Sequence, residues 1–171
     1  MLKIILQDPR YLTPFNERAR DIRIMNKPLW LSQRDVLMPY THRELELPFG
    51  ASLPQTNEEC IVYRDNLFFD AFYIQAFIEK AKEVGGACRA AFTTDDPSFR
   101  EHALPLSVSY TPEGEYYLAD LWYYPNGPGE PAKALCVDTL PIEAGSVSYT
   151  HLRAHETPEH LVCRLLLEKK N

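Results

Sequence analysis

The residues of this chain best equipped for chemistry stand in the run Tyr63-Arg64-Asp65-Asn66-Leu67-Phe68-Phe69. Ile61-Val62-Tyr63 reads as a short strand and the residues after Leu67 as a helix. Asp65 is therefore expected at the carboxyl end of a strand, the edge where open α/β sheets bind ligands. A carboxylate there can hold a hard cation such as Mg²⁺ through oxygen, together with the phosphates of a ligand. The structural alternative is that Asp65 or Asp70 accepts a backbone N–H and caps the helix, and pattern alone favours the cap. A second feature is the segment from Arg10 to Arg43. There Arg10, Arg18, Arg20, Arg23, Lys27, Arg34 and Arg43 face only Glu17, Asp21 and Asp35. Such a surplus suits a phosphate-rich ligand and equally a solvated helix face.

These groups need elements to carry them. Lys3-Ile4-Ile5-Leu6 predicts a buried strand ended by Asp8-Pro9. Leu67, Ala71, Ile74, Ile78 and Ala81 fall on one apolar helical stripe, Glu79, Lys80, Lys82 and Glu83 give it a wet face, and Gly85-Gly86 can end it. Ala87 to Phe92 predicts a strand closed by Asp95-Asp96-Pro97, so strand, helix and strand argue for a parallel βαβ unit. Leu106, Val108 and Tyr110 alternate with Ser107 and Ser109 as a half-buried strand. Thr111 to Gly114 is then the turn of a hairpin that returns through Glu115 to Tyr124. Leu45 to Asn57 reads as a connector, and Ala134 to Val137 as a further strand.

The last stretch is expected to have a different origin. Val147 to Thr157 and His160 to Lys170 resemble one reading frame of the transposase-type adapter used in short-read sequencing libraries, with 157–160 where a variable index is translated. The resemblance implies a division at Ser146. Residues 1–146 are expected to be the N-terminal part of one domain whose biological sequence continues further, and residues 147–171 a non-biological, adapter-derived tail to be left out of fold reasoning. Of 18 Lys/Arg and 24 Asp/Glu, four and three lie in that tail, leaving 14 and 21 and a formal charge of −7. His151, His155, His160 and Cys163 drop out as a metal cluster. Cys60, Cys88 and Cys136 lack CxxC spacing, which suggests reduced thiols and a cytoplasmic protein. The acidic total argues against nucleic acid as a partner. No apolar run approaches the roughly 20 residues that cross a bilayer, so no membrane partner is expected. Nothing in the sequence sets an oligomeric state.

Asp65-Asn66-Leu67-Phe68-Phe69, the helix, Gly85-Gly86-Ala87-Cys88, Ala91-Phe92 and Asp95-Asp96-Pro97 together resemble the middle of sugar-phosphate nucleotidylyltransferases of the glucose-1-phosphate thymidylyltransferase kind. In that family Gly-Asp-Asn ends a strand, a helix follows, and Gly-Ala-Thr opens the next strand. Arg10-Tyr11-Leu12-Thr13-Pro14 is similar to its Thr-Arg-Leu-x-Pro-Leu-Thr run, Asn26-Lys27-Pro28-Leu29 to its Asp/Asn-Lys-Pro, and Pro131-Ala132-Lys133 to its later Pro-Lys pair. The resemblance implies an α/β fold: an incomplete, Rossmann-like nucleotidyltransferase sheet with flanking helices and an antiparallel hairpin. It implies a nucleoside triphosphate and a sugar 1-phosphate as partners, joined with loss of pyrophosphate by positioning and charge neutralisation. Asp65 is then a Mg²⁺ ligand, Arg10 and Lys27 bind the nucleotide, and Arg18 or Arg20 stands for the catalytic lysine. The second acidic ligand of the family falls beyond Ser146. The sequence departs from the pattern where Gln7-Asp8-Pro9 replaces the glycine-rich loop that cradles phosphates and where Arg64 replaces the glycine before Asp65. Those departures motivate the alternative of a degenerate, non-catalytic domain that binds a nucleotide or sugar phosphate. The transferase half of proteins that carry such a domain on a left-handed β-helix is a more divergent group with the same resemblance.

Overall fold

The computed structural model describes residues 1–12, 16–93 and 97–137. Thr13, Pro14, Asp95, Asp96, the division at Ser146 and the adapter-like tail all lie outside the described residues.

In chain order the regular elements are β1 (Leu2–Leu6), the small hairpins β2 (Tyr11–Leu12) with β3 (Glu17–Arg18) and β4 (Arg23–Ile24) with β5 (Lys27–Pro28), then α1 (Leu29–Leu37) and β6 (Arg43–Leu47). There follow β7 (Cys60–Arg64), α2 (Ala71–Val84), β8 (Cys88–Phe92), β9 (Tyr110–Glu113), β10 (Tyr116–Tyr124) and β11 (Lys133–Cys136). Seven strands form one sheet in the order β6-β1-β7-β10-β8-β11, with β9 paired to the first half of β10. β6, β1 and β7 are parallel neighbours, β8 and β11 are parallel, and β10 runs antiparallel between β7 and β8. The mixed α/β class expected from the sequence is what the chain adopts.

Several local expectations are revised. β7 and β8 do run parallel, yet they are not neighbours, because β10 lies between them. Leu118, Ala119, Leu121, Tyr123 and Tyr124 are all buried, so β10 is apolar on both faces and belongs in the sheet interior. The strand expected at 106–110 begins only at Tyr110. Leu104–Leu106 is a 3₁₀ turn, and the hairpin turns at Gly114, whose φ is +60°. Arg43–Leu47 is an edge strand, although the expected connector begins at Leu45; its charged alternation keeps such an edge soluble. α2 begins at Asp70, whose side chain accepts the Tyr73 N–H at 2.8 Å, and ends on Gly85 at φ +75°. The capping alternative therefore falls to Asp70, which leaves Asp65 available for another role.

Both helices cover one face of the sheet. Leu37 of α1 and Tyr73, Ile74, Phe77 and Ile78 of α2 pack with Ile5, Ile61, Tyr63, Leu121, Tyr123, Cys88, Ala90 and Phe92. On the other face Leu2, Ile4, Cys60, Val62 and Tyr124 form a second cluster with Trp122 and Ala132 against it. No helix among the described residues is long and apolar enough to cross a membrane.

Candidate functional site

The strand order reverses between β1 and β7. From β1 the chain passes to β6 on one side, and from β7 onward it fills the other side. Leu6 and Arg64 are register partners, so the residues that follow them meet just outside the sheet edge, the place where α/β sheets bind ligands. Asp65 donates its N–H to the Leu6 carbonyl at 3.0 Å, and Asp8 donates its N–H to Asp65 Oδ1 at 2.8 Å. The Asp8 carboxylate accepts from Arg10 Nε at 2.9 Å, Arg10 Nη2 at 2.7 Å, the Arg10 backbone N–H at 3.1 Å and Asn66 Nδ2 at 3.2 Å. Asn66 Oδ1 accepts from the Ser109 hydroxyl, and Gln33 of α1 donates to the Asp65 carbonyl at 3.1 Å and to the Leu67 carbonyl. A buried polar seam thus ties α1, the ends of β1 and β7, and the approach to β9.

The two carboxylates differ electrostatically. Burial and the nearby Asp8 charge push Asp65 up to about 6, against the Asp8 N–H and the Arg20 and Arg64 guanidiniums. For Asp8 burial acts upward too, but the Arg10 hydrogen bonds and charge, with Asn66, hold it below the ordinary carboxylate value. Burial raises both, and the Arg10 and Asn66 contacts to Asp8 drive the pair apart, as unequal partners do where neighbouring acids differ in acidity. A raised folded pKa means that Asp65 favours the fold at low pH. That contribution is lost as pH rises from the unfolded value near 3.8 toward about 6, which corresponds to roughly 3 kcal/mol. Asp65→Asn, which keeps an oxygen for the Asp8 N–H, is expected to be about 2–3 kcal/mol more stable than wild type at pH 7 and no more stable at pH 4. Urea midpoints at the two pH values measure it, and an equal change at both would show that Asp65 titrates normally.

The predicted residues separate in space. Arg20 reaches the site: its Nη1 lies 3.6 Å from Asp65 Oδ2 and its Nη2 pairs with Glu46 at 3.2 Å. Arg10 reaches it through Asp8. Arg18 instead lies over the Tyr11 ring at 5.7 Å, and Lys27 pairs with the exposed Asp35 at 2.7 Å. Between the two arginines left open by the sequence, the fold brings Arg20 to Asp65. Much of the basic surplus of 10–43 is met by acids from elsewhere, including Asp8, Glu46 and Glu58.

Sequence reasoning assigned no role to Asp8, Gln33, Asn66 or Ser109, all at most 2% exposed. Asp8 enters the sequence reading only as the end of the first strand and in place of a glycine-rich loop. The signal for Gln33 was present: Leu29, Gln33 and Leu37 are the buried residues of α1 at a spacing of four, so a polar residue occupies an apolar stripe. Also missed was Asp120 of β10, 6% exposed, which accepts from Arg64 Nε and from Arg89 Nη2, each at 2.8 Å.

No family model matches this chain, and no curated protein matches it. Among solved structures it is similar to a protein described as a glucose-1-phosphate thymidylyltransferase from Bacillus anthracis, in complex with sucrose. The likeness has 11% identity and a TM-score of 0.42, over 73% of this chain and 72% of that one. At that level it carries no argument about family, activity or ligand.

The magnesium implied by the sequence resemblance can be tested on the geometry. Mg²⁺ needs near-octahedral oxygen ligands at about 2.0–2.1 Å. Asp65 Oδ1 is taken by the Asp8 N–H, Oδ2 faces Arg20, and Asp8 is engaged by Arg10 and Asn66. Among the described residues no three His, Cys, Asp or Glu side chains converge. The described residues do not form a site for a resident magnesium ion.

Proposed function

We propose that this chain is a nucleotidyltransferase-like domain that holds the phosphates of a nucleoside triphosphate or sugar phosphate at the carboxyl ends of β1 and β7 without transferring them. One observation supports this above the others. The cations that the resemblance assigns to phosphate, and the one that reaches Asp65, are each engaged by a carboxylate of the same chain: Arg10 by Asp8, Arg20 by Glu46 and Asp65, Lys27 by Asp35. The amides that would cradle a phosphate are likewise spent, since the Asp8 N–H goes to Asp65 and Pro9 has none. Such a site binds an anion by sharing an arginine already paired, which gives modest affinity and no orientation of a nucleophile. The Arg10 side chain, 31% exposed, is where a phosphate can reach, by charge-assisted bonds shared with Asp8.

The test uses the full chain with nucleoside triphosphates, sugar 1-phosphates and Mg²⁺. Expected are no pyrophosphate release above background, calorimetric binding of the triphosphate, and a loss of roughly tenfold in affinity in Arg10→Ala, about 1.4 kcal/mol for a shared charge-assisted bond. A second reading, a working nucleotidylyltransferase, is favoured by the open Asp65 Oδ2 at the end of β7. Pyrophosphate release abolished by Asp65→Ala would establish it and overturn the first reading.

A further inference from the structure

A cavity of about 130 Å³ lies between α1 and the sheet face of β6, β1 and β7, with Asp65 in its wall. We propose that it binds a small neutral polyol, of glycerol to pentitol size, independently of any phosphate ligand at the sheet edge. Three observations carry the proposal.

The first is an unmet acceptor. Asp65 is 1% exposed and its Oδ2 has no hydrogen-bond partner, whereas buried polar atoms are almost always paired. Arg20 Nη1 at 3.6 Å is too far for a hydrogen bond. A ligand that donates a proton is therefore called for. The second is charge. The cavity is lined by Lys3, Arg20 and Arg34 and by Glu44, Glu46 and Asp65. Lys3 pairs with Glu44 at 2.8 Å and Arg20 with Glu46 at 3.2 Å. An anion would meet three carboxylates and a cation three positive groups, so a neutral ligand is the one that leaves no charge unbalanced. A hydroxyl both donates and accepts. It can donate to Asp65 Oδ2 while accepting from Arg20, and a neighbouring hydroxyl can do the same with the Lys3–Glu44 pair. The third is size and wall. Ile5, Tyr63 and Trp30 supply apolar surface for the C–H side of such a ligand. The accessible volume of about 130 Å³ holds several waters, each needing about 10–15 Å³ of such space, and suits a ligand of a few carbon atoms.

The chain has two tryptophans, and only Trp30 lines this cavity; Trp122 lies on β10. The experiment follows both indole N–H signals of the ¹⁵N-labelled full chain by NMR during titration with glycerol, erythritol and xylitol. The expected result is a saturable shift of Trp30 at millimolar polyol with Trp122 unmoved, at least tenfold weaker in Asp65→Asn, and at least tenfold weaker for glycerol 1-phosphate. A linear, non-saturating drift, an unchanged response in Asp65→Asn, or equal binding of the phosphorylated ligand would overturn the proposal and leave a water-filled cavity. If Asp65→Asn loses its folded spectrum, Glu46→Gln takes its place with the same readouts. Failure of triphosphate binding would sink the reading at the sheet edge and leave this one standing, because glycerol, erythritol and xylitol carry no phosphate.

Discussion

Asp120→Ala is expected to destabilise the fold by about 3–5 kcal/mol, the usual result of removing one partner from a buried ionic cluster. Asp120 sits on β10 between β7 and β8 and is bonded to Arg64 of β7 and Arg89 of β8, each at 2.8 Å. The two arginine side chains are 14% and 18% exposed. Without the carboxylate, two largely desolvated guanidiniums would remain close together with no counter-charge. Stacking on Trp122, 4.7 Å from Arg89, and on Phe49, 5.5 Å from Arg64, offsets little of that, since a partly exposed cation–π contact contributes about 0.5–1 kcal/mol. For a chain of this size each kcal/mol corresponds to roughly 2–4 °C in melting temperature. The effect also reaches the candidate site. Arg64 Nη1 donates to the Gln7 carbonyl at 3.4 Å, so losing its anchor frees the segment that carries Asp8. Thermal melts of Asp120→Ala beside the triple variant Asp120→Leu/Arg64→Met/Arg89→Met make the comparison, because replacing the whole cluster by apolar groups is expected to recover most of the loss. A change under about 1 kcal/mol in the single variant would mean that water solvates the arginines.

Gly127→Ala is expected to be comparably damaging, by a different mechanism. Gly127 has φ +83°, and a Cβ there would stand 1.7 Å from the Thr56 carbonyl oxygen and 2.7 Å from its carbon. The left-handed conformation alone costs an L-residue about 1–2 kcal/mol. The clash is with backbone, which no side-chain rotation relieves. The loops around 55–57 and 126–130 would have to part. Gly86→Ala is the control, since a Cβ there meets nothing within 4 Å. A melting temperature equal to wild type in Gly127→Ala would show that the two loops do not press together in solution.

The elements written by short-range chemistry were legible. β1, β7, β8, β11 and α2 fell close to where apolar runs, a 3.6-residue stripe and a glycine stop placed them. The misses have common causes. β6 hides its strand character behind Arg43, Glu44 and Glu46, because it is an edge whose side chains meet charges and solvent. α1 was lost in a segment dominated by its basic residues. The position of β10 between β7 and β8 was invisible, because strand order depends on which faces remain apolar after α2 has docked, and no local pattern records that.

Asp65 shows the same division. Its place at the end of a strand followed from the residues on either side of it. Its availability for ligand chemistry did not, because pattern alone favoured a helix cap and only the structure gives that cap to Asp70. Nor did what it touches. Asp8, some 57 positions earlier in the chain, meets it because β1 and β7 are register partners, and Arg20 rather than Arg18 arrives because the small hairpins turn as they do. The sequence alone determined β1, β7, β8 and β11, the long helix, the α/β class and the carboxylate at the sheet edge, since these depend on periodicity and turn chemistry within a few residues. Only the tertiary structure decided that Arg10, Arg20, Lys27 and Arg43 are already paired with acids, that burial pushes Asp65 up to about 6, and that one of its oxygens opens into a charge-balanced cavity. Pairing, desolvation and cavity shape are set by groups distant in sequence and brought together by sheet order, so no window of neighbouring residues contains them.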